Sequence, residues 1–140
     1  MTQLVQLAKV MSETFHSNQK YGIEDYFKYH IEGVVNSLKL HNFCDDYVIV
    51  GYLHDLAEDT SISLDTIYNL FGKTIGDAVK AITKVKDEPR INYLSRCASN
   101  PIARMVKLHD ALFNATNCHK NKNKTKVNYY LDTISLLKMA

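Results

Sequence analysis

The run His54-Asp55-Leu56-Ala57-Glu58-Asp59 brings an imidazole and three carboxylates together in one short stretch. It closes an otherwise apolar segment that begins at Tyr47. An adjacent His and Asp can both reach one cation from a single helical turn. On a continuous helix, Glu58 lies one turn beyond His54 and Asp59 one turn beyond Asp55, so the two acids share an edge. Such a layout suits a metal-activated water with carboxylates beside it. The plain alternative is an acidic helix end with a chance histidine, and partners elsewhere in the chain decide between the two.

Two partners stand out. His30 lies upstream, and Asp110 lies in Val106-Lys107-Leu108-His109-Asp110-Ala111-Leu112-Phe113-Asn114. Asp110 falls within an apolar helical pattern, where an unpaired buried carboxylate would be costly. A cation removes that problem. The order His, His-Asp, distant Asp resembles the HD-domain metal phosphohydrolase superfamily. The Glu58-Asp59 pair narrows the resemblance to the hydrolase domain of RelA/SpoT-like enzymes, in their compact form. Phe71-Gly72-Lys73-Thr74-Ile75 and Ala81-Ile82-Thr83-Lys84 look like further segments of that family. So do Ser99-Asn100-Pro101-Ile102-Ala103-Arg104 and the opening His16-Ser17-Asn18-Gln19. The matching motifs span roughly Phe15 to Asn117.

The resemblance implies a site. His30, His54, Asp55 and Asp110 become the ligands of one divalent metal ion, with manganese as the usual occupant. Two imidazoles and two carboxylates suit manganese or iron with open, water-bearing positions. Glu58 and Asp59 become the catalytic pair: Glu58 as general acid/base near the attacking water, Asp59 orienting that water or protonating the leaving oxygen. Asn114, one turn after Asp110, would hold the nucleotide. Lys84 and Lys86 are placed to meet phosphate, although a solvated role is the commoner fate of any single lysine. Lys107 neighbours Asp110 on the same helix.

Three positions depart from the family pattern. Relatives carry an Arg-Lys pair after the opening glutamine, and one of these basic residues stacks on the base. Here the run is Gln19-Lys20-Tyr21-Gly22. Lys20 would contribute charge and Tyr21 a stacking face. Ile31 follows His30 where many members have Pro. His109 stands where Ala usually precedes the Asp, and no catalytic role is assigned to it.

Composition bounds the rest. A chain of 140 residues with 46% apolar and 23% charged residues predicts one soluble globular domain over residues 1–140. A formal charge of +2 is too small to argue for nucleic acid. Three cysteines without a C-x-x-C pair predict neither disulfides nor a zinc-thiolate site, and so a reducing cytosol. No apolar run reaches the length of a membrane span, and the N-terminus lacks a signal-peptide profile.

Five Gly and two Pro in the whole chain favour long helices over a turn-rich β fold. Periodicity predicts a helix from about Thr2 to Asn18, a loop over Gln19 to Asp25 broken at Gly22, and a helix over Tyr26 to Leu40 carrying Ile31, Val34, Val35 and Leu38 inward. Asp45 or Asp46 would cap a central helix with Tyr47 to Glu58 as its body. Ser63 caps the next helix, and Gly72 follows its end. Thr74 to Lys84 forms a short helix, and Lys84 to Arg90 a surface loop. Asn100-Pro101 starts a helix reaching about Asn117. Asn117 to Lys126 reads as a solvated basic loop rather than a nucleic-acid surface, since it lacks interleaved aromatics. Val127 to Met139 closes the chain as an amphipathic helix. The expectation is an all-α, compact HD-domain helical bundle of six to eight helices.

On this reading a metal-activated water removes the 3′-pyrophosphate of a (p)ppGpp-like or (p)ppApp-like alarmone, and no region remains for synthetase or regulatory domains. A second reading keeps the metal and changes the substrate to nucleoside phosphates or NADPH-like compounds. A third is a nucleotide-binding or host-interacting module without activity. In the first two the partner is a small-molecule nucleotide, with neither membrane nor nucleic acid involved.

Overall fold

The chain builds its core around one helix that is apolar on every side. The structure is a computed structural model and describes residues 2–139. Helix α3 (Asp45–Leu53) has every residue from Val48 to Leu53 buried. The packing helices surround it: α1 (Gln3–Phe15), α2 (Glu32–Leu40), α6 (Lys73–Ile82) and α8 (Pro101–Lys120) all lie against it. Between them run a short α4 (Leu56–Asp59), α5 (Leu64–Phe71) and α7 (Arg90–Ser99), and α9 (Lys124–Met139) ends the described chain. The expected all-α class holds, with one small hairpin as the exception. No described helix is long and apolar enough to cross a membrane.

Local signals set most of the boundaries. The Thr2 hydroxyl accepts from the Val5 amide and starts α1, which ends at Phe15 rather than Asn18. Its buried face is Val5, Ala8, Met11 and Ser12, while Leu4, Leu7 and Val10 face outward. Ser63 caps α5 as expected. Gly72 then turns the chain at φ 87°, a conformation that side chains with a Cβ disfavour, and α6 begins at once. The Asn100 side chain accepts from the Ala103 amide, with Pro101 in the first turn of α8.

Four segments differ from expectation. Gln19 to Asp25 is no plain loop: β1 (Lys20–Tyr21) pairs antiparallel with β2 (Glu24–Asp25) across a turn at Gly22, whose φ is 62°. Tyr26 to Leu40 is not one regular helix. Its first part, Tyr26–Ile31, is a π-helical turn in which the Glu32 amide bonds back to the Phe27 carbonyl. The central helix does not continue to Glu58 but breaks at His54 and Asp55. The His54 ring takes the Gly51 carbonyl at 2.7 Å, the acceptor that an unbroken helix would give to the Asp55 amide. Finally, the basic loop shrinks to Asn121, Lys122 and Asn123. Lys122 adopts φ 58°, and the Asn123 side chain accepts from the Lys126 amide, starting α9. Arg90–Ser99, left unassigned by periodicity, is α7, with Tyr93, Leu94 and Cys97 buried.

Candidate metal centre and active site

Three separate elements deliver the polar core of the site. The π-helical turn carries His30, the break between α3 and α4 carries His54 and Asp55, and the middle of α8 carries Asp110. One ligand atom from each lies within 4.8 Å of all the others. His30 Nε2 is 2.8 Å from Asp110 Oδ1, and His54 Nε2 is 3.2 Å from Asp55 Oδ2 and 3.4 Å from Asp110 Oδ1. Three of these residues are buried and Asp55 is half-buried.

The donor set fits a divalent cation. The Nδ1–H of His54 is committed to the Gly51 carbonyl, which leaves the Nε2 lone pair facing the carboxylates. That Nε2 is buried and has no hydrogen bond of acceptable geometry, as expected of a nitrogen aimed at a metal rather than at a proton acceptor. Two carboxylates and two imidazoles are a first-row, water-bearing donor set, and no thiolate is among them. Burial alone would push Asp110 up. The Lys107 ammonium, 3.2 Å from its Oδ2, and the neighbouring imidazoles hold it well below the ordinary carboxylate range. Tyr26, which the sequence reading treated only as a helix start, donates its hydroxyl to Asp55 Oδ2.

Beside this cluster opens a cavity of about 570 Å³. Glu58 and Asp59 stand on its wall from α4, and Asn114, Lys84 and Tyr21 also line it. Glu58 Oε1 accepts from the Lys84 backbone amide at 2.5 Å. Burial pushes the Glu58 carboxyl above its ordinary range, and the Asp55 charge adds to this against the pull of the Lys84 amide and ammonium. Asp59 Oδ2 accepts from Gln19 Nε2 at 3.0 Å. Asn114 Oδ1 accepts the Tyr21 hydroxyl at 2.6 Å. The Tyr21 ring stacks on His30, with centroids 5.0 Å apart and planes within 8°. One of its faces is therefore taken by His30.

Not every candidate reaches the cavity. Lys20 is exposed and opens onto an adjoining cleft of about 550 Å³, which shares Tyr21, Asn114, Lys126 and Tyr130 with the first. Lys86 is exposed on the loop after α6 and lines neither. His109 points elsewhere: it is buried, with Nδ1 2.7 Å from the Ser37 hydroxyl. Sequence reasoning missed the basic and aromatic wall made by Arg90, Lys126, Tyr129 and Tyr130. The short turn at Lys122 brings α9 back over the site, and Lys126, expected in a solvated basic loop, lies in the first turn of that helix.

No protein-family model matches the chain. Curated proteins similar to it include two alarmone pyrophosphohydrolases. A probable guanosine-3′,5′-bis(diphosphate) 3′-pyrophosphohydrolase of Mycoplasma genitalium is 31% identical over 88 residues, 63% of this chain and 12% of that protein. The guanosine-3′,5′-bis(diphosphate) 3′-pyrophosphohydrolase MESH1 of Danio rerio is 27% identical over 110 residues, 71% of this chain and 60% of that protein. The chain thus spans less than two thirds of either relative. A solved structure of a metazoan ortholog of SpoT that hydrolyses ppGpp superposes with a TM-score of 0.83 at 17% identity. The match covers 98% of this chain and 86% of the other.

The chain shares the fold of that solved structure. The His54-Asp55 pair sits at a helix break, and both side chains turn towards one point, whereas on one continuous helix they would diverge by about 100° around the axis.

Proposed function

We propose that this chain is a manganese-dependent 3′-pyrophosphohydrolase of (p)ppGpp-like or (p)ppApp-like alarmone nucleotides, acting in a reducing cytosol. The observation that carries the reading is the pairing of the four-residue donor cluster with Glu58 and Asp59 on one cavity wall. The activities for which the two relatives are named support the choice of substrate. When bound, the cation supplies Lewis acidity towards phosphate oxygens and lowers the pKa of water.

The chain's own residues supply the remainder. His30, His54, Asp55 and Asp110 hold the cation. Glu58, with its raised pKa, takes a proton from the attacking water. The water oxygen bonds to the phosphorus attached to the 3′ oxygen. That phosphorus–oxygen bond breaks, pyrophosphate departs, and Asp59 orients the water or delivers a proton to the 3′ oxygen. Lys107, beside Asp110, and Arg90 and Lys126 across the cavity offer positive charge to the phosphates. Asn114, held by Tyr21, presents its amide NH₂ to the sugar side.

The test is a manganese-supplemented incubation with ppGpp, pppGpp and ppApp, with products separated by anion exchange. Release of pyrophosphate with a 5′-phosphorylated nucleoside is expected. Orthophosphate released from mononucleotides or NADPH, with tetraphosphates untouched, would replace this reading with a general nucleotide phosphatase. Asn114→Ala should raise KM more than it lowers kcat, because the side chain holds substrate and moves no proton.

A further inference from the structure

The proposed reaction leaves one buried device without a task. His16, at the end of α1, is wholly buried, and its Nδ1 lies 2.7 Å from Gln19 Oε1. Its Nε2 has no hydrogen-bond partner. Gln19 is tied at both ends of its backbone: its amide donates to the His16 carbonyl at 2.9 Å, and its carbonyl accepts from the Tyr26 amide at 3.0 Å. Its side chain then crosses to Asp59 Oδ2.

The chemistry of the acceptor fixes the direction of this chain of bonds. A carboxylate only accepts, so Gln19 must turn its NH₂ towards Asp59. Its carbonyl oxygen therefore faces His16, and Nδ1 must carry the ring proton. The flipped amide would set the Gln19 oxygen against the Asp59 carboxylate, and that clash excludes it. Asp59 itself stands on a helix of only four residues, and Gln19 is the one hydrogen-bond partner of its carboxylate among the described residues. Without that bond the carboxylate is free to rotate into solvent.

We infer that His16 and Gln19 are positioning residues that hold Asp59 at the cavity wall, His16 acting only through the Gln19 amide. With Oδ2 occupied, Oδ1 is left for the water or the leaving oxygen. The inference rests on the reading of Asp59 as a proton-handling group.

Two experiments test it, one of them independent of turnover. Long-range ¹H–¹⁵N NMR of the full chain should show His16 as the Nδ1–H tautomer. The Gln19 side-chain amide resonances should move in Asp59→Asn. An Nε2–H tautomer, or Gln19 resonances indifferent to Asp59→Asn, overturns the inference even if the enzyme proves inactive on alarmones. In the kinetic arm, Gln19→Leu should lower kcat about tenfold or more, with KM and bound manganese unchanged. In the Asp59→Asn background the same substitution should have almost no effect, because the carboxylate that it positions is gone. His16→Phe should reproduce Gln19→Leu. His16→Asn, which keeps an N–H near the Nδ1 position, should recover part of the rate. A Gln19→Leu effect that persists undiminished beside Asp59→Asn would show a merely structural role. Wild type inactive towards tetraphosphates would instead remove the substrate reading and leave the NMR result to decide the positioning.

Discussion

The Glu58 carboxylate accepts a hydrogen bond from the Lys84 backbone amide at 2.5 Å, joining the end of α4 to the strand-like residues after α6. One carboxylate oxygen is thereby fixed by backbone, and the other is free at the cavity. The Ile82-Thr83-Lys84 segment contributes through its main chain here, whereas the Lys84 ammonium lies 5.6 Å from the centre of the Tyr93 ring.

Glu58→Gln should therefore lower turnover by roughly a hundredfold or more, with bound metal and KM little changed. The pH profile adds a sign. A raised pKa means that Glu58 is protonated, and useless as a base, to a higher pH than an ordinary glutamate. In wild type, kcat should rise with pH through a limb displaced upward from the usual carboxylate range. Loss of that limb in Glu58→Gln would tie it to this residue, and an unchanged limb would assign it elsewhere.

The donor cluster predicts a metal linkage. Four donors from three elements meet in the folded chain and are scattered in the unfolded one, so the cation stabilises only the former. Manganese at about a hundred times its Kd should add about 2.7 kcal/mol of stability, read as a rise in Tm. His54→Ala should abolish both the bound metal and the manganese-dependent rise. A rise that survives the substitution would place the cation at another site.

What was legible in the sequence was whatever local chemistry dictates. Ser63, Gly72 and Asn100-Pro101 each act within a few residues, and each marks its boundary in the structure. The buried stripe Ile31, Val34, Val35 and Leu38 follows from period alone. The four donors were legible because their residue types and order are unusual together. The helix break at His54 was not, because it depends on the ring capturing the Gly51 carbonyl. Nor was the wall from α9, because a single left-handed Lys122 decides where that helix returns. Tyr26 and Gln19 were invisible as site residues for a similar reason: their partners lie far along the chain.

Gly76 tests the packing of α5 against α6. In an exposed helix interior, Gly→Ala stabilises by about 1 kcal/mol. Here an added Cβ would sit 2.3 Å from Tyr68 Cδ1 and 2.6 Å from Cγ, close to the root of that ring. The ring is also tethered, since its hydroxyl donates to Asp77 Oδ1 at 2.6 Å. Gly76→Ala should accordingly destabilise, by about 1–3 kcal/mol in denaturant unfolding. Tyr68→Ala in the same chain should reverse the sign of the Gly76→Ala effect. Stabilisation by Gly76→Ala alone would mean that the two helices do not approach as closely as described.

Arg96 closes the open end of α6, and its effect should depend on pH in a defined direction. Its Nη2 donates to the Thr83 carbonyl at 2.7 Å and its Nε to the Ala81 carbonyl at 3.3 Å. These are carbonyls that a helix end leaves without partners. Its Nη1 bonds the Glu88 carboxylate, and that hydrogen bond holds Glu88 below its ordinary range. Arg96→Met keeps the stem and removes the donors, so it should cost roughly 1–2 kcal/mol at neutral pH, discounted for partial exposure. A carboxyl whose folded pKa is depressed contributes above its unfolded pKa and loses that contribution as pH falls through the folded one. The difference between wild type and Arg96→Met should therefore shrink below about pH 4, the ordinary glutamate value. It should not vanish, because the bonds to the Ala81 and Thr83 carbonyls carry no titrating partner. In a Glu88→Gln background the remaining difference should be independent of pH over that range. If it still shrinks as pH falls, a second acid near Arg96 carries the dependence instead.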